Sequence, residues 1–325
     1  MISTLIRLLL VLLSAMNVEF GHSLPIRAAK TALVTGSTDG IGLTTAKNLA
    51  AKGYNLILHG RDATRIQKAE EEVKSFCSAL MKDDSPPKAI IKSIRSDIST
   101  IAGCKKLVSS VRSLLKENDL SSLDLLVNNA GVFEESYQST MDGLEMTFAV
   151  NVMAPFVITS NLLPELTNAR NKENQSRIVI ASSISQCSSI DHWDDLQCHT
   201  RPYNTHQAYA ESKFLDALLS AEFASRLIKV FGAERITCNC LDPGTVNTKM
   251  LIAGWGPCGI DVGNALDETW LSTSEDINDV SGTYFCSRRP SKEINGYRIS
   301  DRKKLWNVLA EIDSDSSEIW EDLSV

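Results

Sequence analysis

From Lys30 onward the chain alternates short apolar runs with longer amphipathic ones, and no other feature limits its fold as strongly. Ala32–Thr35, Tyr54–Leu58, Ile90–Ile94, Leu123–Val127, Ile178–Ala181 and Arg235–Leu241 read as short strands, mostly buried on both faces. Helical periodicity fills the intervals: from the first turn to Lys52, over Ala63–Met81 and Ile101–Leu115, near Leu144–Val150 and Pro155–Leu166, and along Ala208–Phe231. Strand–helix–strand units of this kind cross over right-handed and lay parallel strands in one sheet with helices on both faces. The expected fold is α/β, a doubly wound parallel sheet in a single domain from about residue 29 to 310.

A chain of 325 residues with 43% hydrophobic side chains has ample material for such a core, which excludes disorder as the main state. A formal charge of −7 speaks against a nucleic-acid partner, whose binders are usually basic. The excess acid is local. Glu311, Asp313, Asp315, Glu318, Glu321 and Asp322 stand in a terminus without Lys or Arg, so residues 311–325 read as an acidic, solvated tail beyond the fold.

At the other end, Leu8–Leu13 is an uninterrupted apolar run behind Arg7. It is short for a bilayer span of about 20 residues and fits a signal-peptide core better. Residues 1–23 therefore read as a signal peptide or a short membrane anchor. That implies the secretory pathway, in the lumen or on the membrane of the endoplasmic reticulum, with a plastid leader or secretion as alternatives. Asn174-Gln175-Ser176 is a glycosylation sequon usable on a luminal route. Eight Cys without a C-x-x-C pair form neither a disulfide scaffold nor a zinc pattern. Cys238 and Cys240 share one strand face as buried thiols, and Cys187 and Cys198 are a pair that an oxidising lumen would bridge if their geometry allowed.

After the first strand comes Thr35-Gly36-Ser37-Thr38-Asp39-Gly40-Ile41-Gly42. Gly36 can turn the chain sharply, Gly40 lets the backbone approach a pyrophosphate, and Gly42 lets the next helix pack close to the sheet. Amides at that helix N-terminus would face the phosphate charge. Glycine triplets are weak signals alone; the strand before and the helix after supply the dinucleotide-binding context.

The spacing Thr-Gly-x-x-x-Gly-Ile-Gly resembles the short-chain dehydrogenase/reductase family. Further motifs follow in that family's order: Asp97 after the third strand, Asn128-Asn129-Ala130-Gly131 after the fourth, Val150-Asn151-Val152, and Ser182-Ser183 ending the fifth. Tyr209-x-x-x-Lys213 and Pro243-Gly244-x-x-x-Thr248 complete the series. The resemblance implies a Rossmann fold, oxidoreductase activity on CH–OH groups and carbonyls, and a small-molecule substrate. It also implies a nicotinamide cofactor held by Gly36, Ser37, Thr38, Gly40, Ile41, Gly42, Arg61, Asp97, Ile98, Asn129, Ala130, Gly131, Tyr209, Lys213, Pro243, Gly244, Val246 and Thr248.

Cofactor choice turns on the end of the second strand, where NAD-preferring relatives place an acid for the ribose 2′-hydroxyl. Gly60 stands there, followed by Arg61, whose forked guanidinium suits a 2′-phosphate. NADP(H) is the expected cofactor, and the neighbouring Asp62 leaves NAD(H) open.

Tyr209 and Lys213 are four apart on a predicted helix and share a face. A phenol titrates near ~10, and an adjacent ammonium favours phenolate, so Tyr209 is the expected acid/base with a pKa lowered by Lys213. Ser183 is expected to polarise the substrate oxygen, with Ser182 as the alternative serine. The resemblance adds that Lys213 binds the nicotinamide ribose and that Asn151 helps hold a water-linked proton relay. No metal is expected: the five His form no H-E-x-x-H pattern, and Asp191, Asp194 and Asp195 around His192 read as a solvated loop.

Ser183 and Tyr209 stand 26 residues apart, a longer gap than is usual in the family. The inserted Gln186–Gln207, with Gly282-Thr283-Tyr284-Phe285 and Leu305-Trp306, resembles the retinol-dehydrogenase-like branch, whose members often act on lipophilic alcohols and aldehydes. Lys249–Val262 reads either as a lid over such a substrate or as a surface loop whose Trp255 packs on the core. Many relatives associate through the helix bearing the Tyr-x-x-x-Lys motif, which implies a homodimer, and the N-terminus offers membrane association. Two other readings are a cofactor-binding sensor or scaffold without turnover, and a light-dependent chlorophyll-precursor reductase.

Overall fold

The computed structural model describes residues 29–80, 89–168, 175–291 and 298–323; the leader 1–23 and the sequon's Asn174 lie outside the described residues. The six expected strands form as β1 (Thr31–Val34), β2 (Asn55–Gly60), β3 (Ile91–Arg95), β4 (Leu125–Asn128), β5 (Ser176–Ala181) and β6 (Ile236–Asp242). Two short strands, β7 (Tyr284–Cys286) and β8 (Arg289–Pro290), extend the sheet to the order 3-2-1-4-5-6-7-8. All neighbours are parallel except β8, which is antiparallel at the edge. The strand order reverses between β1 and β4, which opens a crevice at the strand carboxyl ends.

Side chains alternate across the sheet and feed two cores. Ala32, Val34, Leu56, Leu58, Leu125 and Val127 face one layer, covered by α1 (Gly40–Ala51) and α2 (Ala63–Leu80). Leu33, Ile57, Leu126, Ile178 and Ile180 face the other, covered by α3 (Ile101–Glu117), α4 (Ala154–Asn161) and the long α6 (Thr205–Phe231), with α5 (Leu163–Thr167) joining α4 to β5. Cys238 and Cys240 both lie in this second core, and all eight cysteines are free, Cys187 and Cys198 included. The segment near Leu144–Val150 is not one α-helix: Met146–Phe148 passes into a π turn over Ala149–Met153 before α4 begins.

Beyond β6, α7 (Lys249–Trp255) and α8 (Asp267–Thr273) precede β7, and the chain ends in α9 (Ile299–Ile312) and α10 (Ser314–Asp322). These last helices overturn one expectation. Of the expected solvated tail at 311–325, the described residues 311–323 are folded, because Glu311 lies inside α9 and α10 docks on α4. Trp320 is buried, stacks on Phe223 at 5.1 Å and donates from Nε1 to Ser160 Oγ at 2.8 Å, while buried Asp313 accepts from Lys105 Nζ at 2.8 Å. Asp315, Glu318, Glu321 and Asp322 lie on the exposed side of α10, whose buried side carries Ser316, Ser317 and Trp320. α9 packs along α6, with Trp306 6.1 Å from Phe223 and under the Arg226 guanidinium at 3.5 Å. Among the described residues no helix is long and apolar enough to cross a membrane.

Candidate active site

The turn after β1 is held from three sides. Thr35 Oγ1 accepts from the Asn129 and Ala130 amides at 3.1 and 3.0 Å, and Asn129 Nδ2 donates back to the Thr35 carbonyl at 2.8 Å. Gly36, in the left-handed region at φ 64°, donates its N–H to His59 Nδ1 at 3.2 Å. A Cβ on Gly42 would lie 2.3 Å from Asn129 Nδ2 and 2.7 Å from the Gly36 carbonyl oxygen, so α1 approaches the turn only as glycine. Asp39 caps α1, its Oδ1 accepting from the Gly40 amide at 2.8 Å.

This turn is one wall of a cleft of about 380 Å³ at the β1/β4 switch point. Of the residues named from sequence for the cofactor, Gly36, Thr38, Gly40, Ile41, Gly42, Arg61, Asp97, Ile98, Asn129, Ala130, Gly131, Tyr209, Lys213, Pro243 and Thr248 line it. Ser37, Gly244 and Val246 do not. Ser37 is fully buried and its hydroxyl accepts from the His59 amide at 2.9 Å; Val246 is buried in a bridge to Ile260.

At the far end of the cleft, which Arg61 also lines, Asp39 accepts from Lys249 Nζ at 2.6 Å and Arg65 at 3.2 Å. Asp62 is engaged with the backbone, accepting from the Arg65 amide at 2.8 Å as α2 begins. A Cβ on Gly60 would lie 2.4 Å from Thr38 Cγ2, so the acid of an NAD-type strand end would have to displace Thr38.

At the near end, Tyr209 and Lys213 lie one turn apart on α6, both buried, with Nζ 5.7 Å from the phenol ring. Lys213 Nζ donates to the Ala181 carbonyl at 2.9 Å and to Asp216 Oδ2 at 2.8 Å. The two serines divide. Ser182 Oγ donates to the Lys213 carbonyl at 2.7 Å and so is used up holding β5 to α6, whereas half-buried Ser183 hydrogen-bonds the Tyr209 hydroxyl. The π turn brings Asn151 against α6: Oδ1 accepts from the Val132 amide at 2.8 Å, and Nδ2 donates to Ser212 Oγ at 2.9 Å. Burial pushes the Tyr209 phenol above its ordinary value, outweighing the opposite pull of Lys213 and Ser183. The expected net lowering is therefore reversed, because desolvating a phenolate costs more here than the ammonium returns.

A family profile described as short chain dehydrogenase matches residues 30–254. The chain is a short-chain dehydrogenase. Human retinol dehydrogenase 13 is 29% identical to it over 314 residues, covering 90% of this chain and 88% of that one. Human polyprenol dehydrogenase is 28% identical over 301 residues, covering 89% and 86%. The dehydrogenase falls in the retinol-dehydrogenase-like branch and is an oxidoreductase of alcohols and carbonyls. A solved Pseudomonas aeruginosa RhlG/NADP active-site complex shares its fold, with a TM-score of 0.59, 22% identity, and coverage of 80% of this chain and 95% of that one.

Over Tyr209 the dehydrogenase places an aromatic wall. Trp255 of α7 lies 5.7 Å from the Tyr209 ring and 4.9 Å from Phe133, and His206 stands 5.2 and 5.0 Å from Phe133 and Trp255. Trp255 keeps 40% exposure and α7 buries none of its side chains, so the segment rests on the site rather than in the core. The inserted loop is organised by Asp195, which accepts from the His199, Thr200 and Arg201 amides at 2.6 to 3.0 Å. Sequence reasoning missed His59, Arg65, Lys249 and Phe133. Arg65 had a usable signal, its i+4 spacing from Arg61 across a helix start; His59 had none, since it continues a buried strand.

Proposed function

We propose that this dehydrogenase uses NADP(H) to interconvert a lipophilic alcohol and its aldehyde or ketone, with Tyr209 as the acid/base. The observation that carries the reading is that Tyr209 and Lys213 line one end of a glycine-walled cleft, with Ser183 bonded to the Tyr209 hydroxyl. Gly36, Gly40, Ile41 and Gly42, in the turn and at the start of α1, line that cleft without a bulky side chain among the glycines, which fits a pyrophosphate. Arg61, Arg65 and Lys249 would hold a 2′-phosphate at the other end, and the RhlG/NADP complex of the same fold favours that choice.

When bound, the nicotinamide supplies or takes up the hydride. The protein handles the proton and the oxygen. Ser183 Oγ–H and Tyr209 O–H bond the substrate oxygen, and Tyr209 gives its proton to that oxygen as it becomes a hydroxyl. Lys213, fixed by Ala181 and Asp216, stabilises the phenolate left behind. Asn151 holds α6 and the Val132 segment in register around them. Phe133, Trp255 and His206 offer an apolar wall to the rest of the substrate, in keeping with relatives named for retinol and polyprenol.

The test is NADPH oxidation over a panel of short, long-chain and polyene aldehydes and ketones. Turnover that Tyr209→Phe abolishes supports the reading; turnover that survives it overturns the mechanism, and cofactor binding without turnover on any member favours a sensor. We also take residues 1–23 to route the enzyme to the secretory pathway, which fractionation of cells expressing the full chain would test.

A further inference from the structure

Asp216 lies one turn beyond Lys213 on α6, 1% exposed, with Oδ2 2.8 Å from Nζ. Its Oδ1 is buried and has no hydrogen-bond partner among the described residues. Stability is a poor account of such a pair, since burying two charges costs about what their attraction returns and the leftover lone pairs of Oδ1 make it worse. The ammonium beside it is the group on which Tyr209 depends. Of the three N–H bonds of Lys213, one points to Ala181 and one to Asp216, which leaves one direction for the cleft.

We propose that Asp216 is a positioning residue of the catalytic centre: it fixes the Lys213 ammonium with one N–H turned to the cleft and opposes its field at Tyr209. The inference rests on the reading of Tyr209 given above and adds the element that sets its working pH. The groups facing this cluster are few. Tyr209 feels Lys213 and Asp216 from its own helix and Asp242 from β6, and bonds Ser183. Lys213 faces Asp216, Tyr209 and the Cys240 thiol of β6, and Glu268 of α8 feels it from the opposite layer. Among the described residues, Asp216 is the carboxylate in contact with the ammonium. Removing its charge while keeping its shape leaves the ammonium unopposed, so phenolate becomes easier to form.

The experiment compares wild type, Asp216→Asn and Asp216→Glu as full chains. The ionisation of Tyr209 is read as the ultraviolet phenolate absorbance that each protein has and its Tyr209→Phe counterpart lacks. The expected result is a midpoint about one pH unit lower in Asp216→Asn and close to wild type in Asp216→Glu. The limb of the alcohol-oxidation pH profile that reports the base should move with it. A midpoint that Asp216→Asn leaves in place, in a protein with wild-type circular dichroism and melting temperature, overturns the proposal and assigns the pair a purely structural role. Should the asparagine variant not fold, Asp216→Ser is read in the same way. Because the titration needs no substrate, it stands apart from the turnover test: activity surviving in Tyr209→Phe sinks the mechanism, and an unmoved midpoint sinks only the role of Asp216.

Discussion

His59 Nδ1 accepts the Gly36 amide at 3.2 Å, so the end of β2 holds the very turn that begins the cofactor cleft. The acceptor role fixes the tautomer: Nε2 carries the proton and donates it to the Ser96 carbonyl at 3.1 Å. Neutral His59 is thus a structural part of the turn, and burial holds its pKa down at about 4.

That relationship sets an acid limit. The unfolded chain takes up this proton below about pH 6.5 while the folded one refuses it down to about 4, so stability falls as pH drops through that window. The expected loss is about 1.4 kcal/mol per pH unit. Urea melts of wild type and His59→Asn, which keeps an acceptor but cannot titrate there, should diverge in slope between these limits. Parallel pH dependences would refute the assignment.

Cofactor preference should follow the cations that line this end of the cleft. Arg61→Asp is expected to lower the ratio of kcat/KM for NADPH over NADH by roughly 10- to 100-fold, the worth of one charge-assisted contact. Arg65→Ala should move the ratio in the same direction, although Asp39 binds this side chain in the structure. Steady-state kinetics with both cofactors decides it, and an unchanged ratio in both variants would exclude a 2′-phosphate site here.

The aromatic wall makes a prediction about substrates. Trp255→Ala should raise KM for long apolar aldehydes several-fold and leave short ones nearly unaffected, with kcat little changed, because Trp255 touches Tyr209 only edge-on at 5.7 Å. A uniform loss across chain lengths would instead make Trp255 a support for the Tyr209 ring.

The C-terminal helix should matter for stability. Trp320→Ala removes a buried indole stacked on Phe223 and its bond to Ser160, at an expected cost of about 3–5 kcal/mol. Chemical denaturation would read this directly; a change within experimental error would mean that α10 contributes nothing to the core.

Much of this was legible from residue order. The apolar runs gave strand positions within a few residues because a doubly covered parallel strand has no polar face to blur the signal. The glycine spacing and Tyr209-x-x-x-Lys213 located the cleft because both act within one or two turns of backbone, where sequence distance and spatial distance agree.

What sequence distance does not encode is which faces meet. Six acids in the last 15 residues looked like a solvated tail, yet Trp306 and Trp320 pack with Phe156 and Phe223 from elements far away in the chain. Ser182 and Ser183 differ by one position just past β5, yet one hydroxyl bonds the α6 backbone and the other Tyr209. His59 at Gly36 and Trp255 at Tyr209 likewise come from packing. The sequence by itself determined the layers, the cofactor turn and the Tyr–Lys pair, since local periodicity and short spacings suffice for these. The tertiary structure decided the net shift of the phenol, the separate partners of Ser182 and Ser183 and the covering of α6, since burial and long-range contact exist only once the chain has folded.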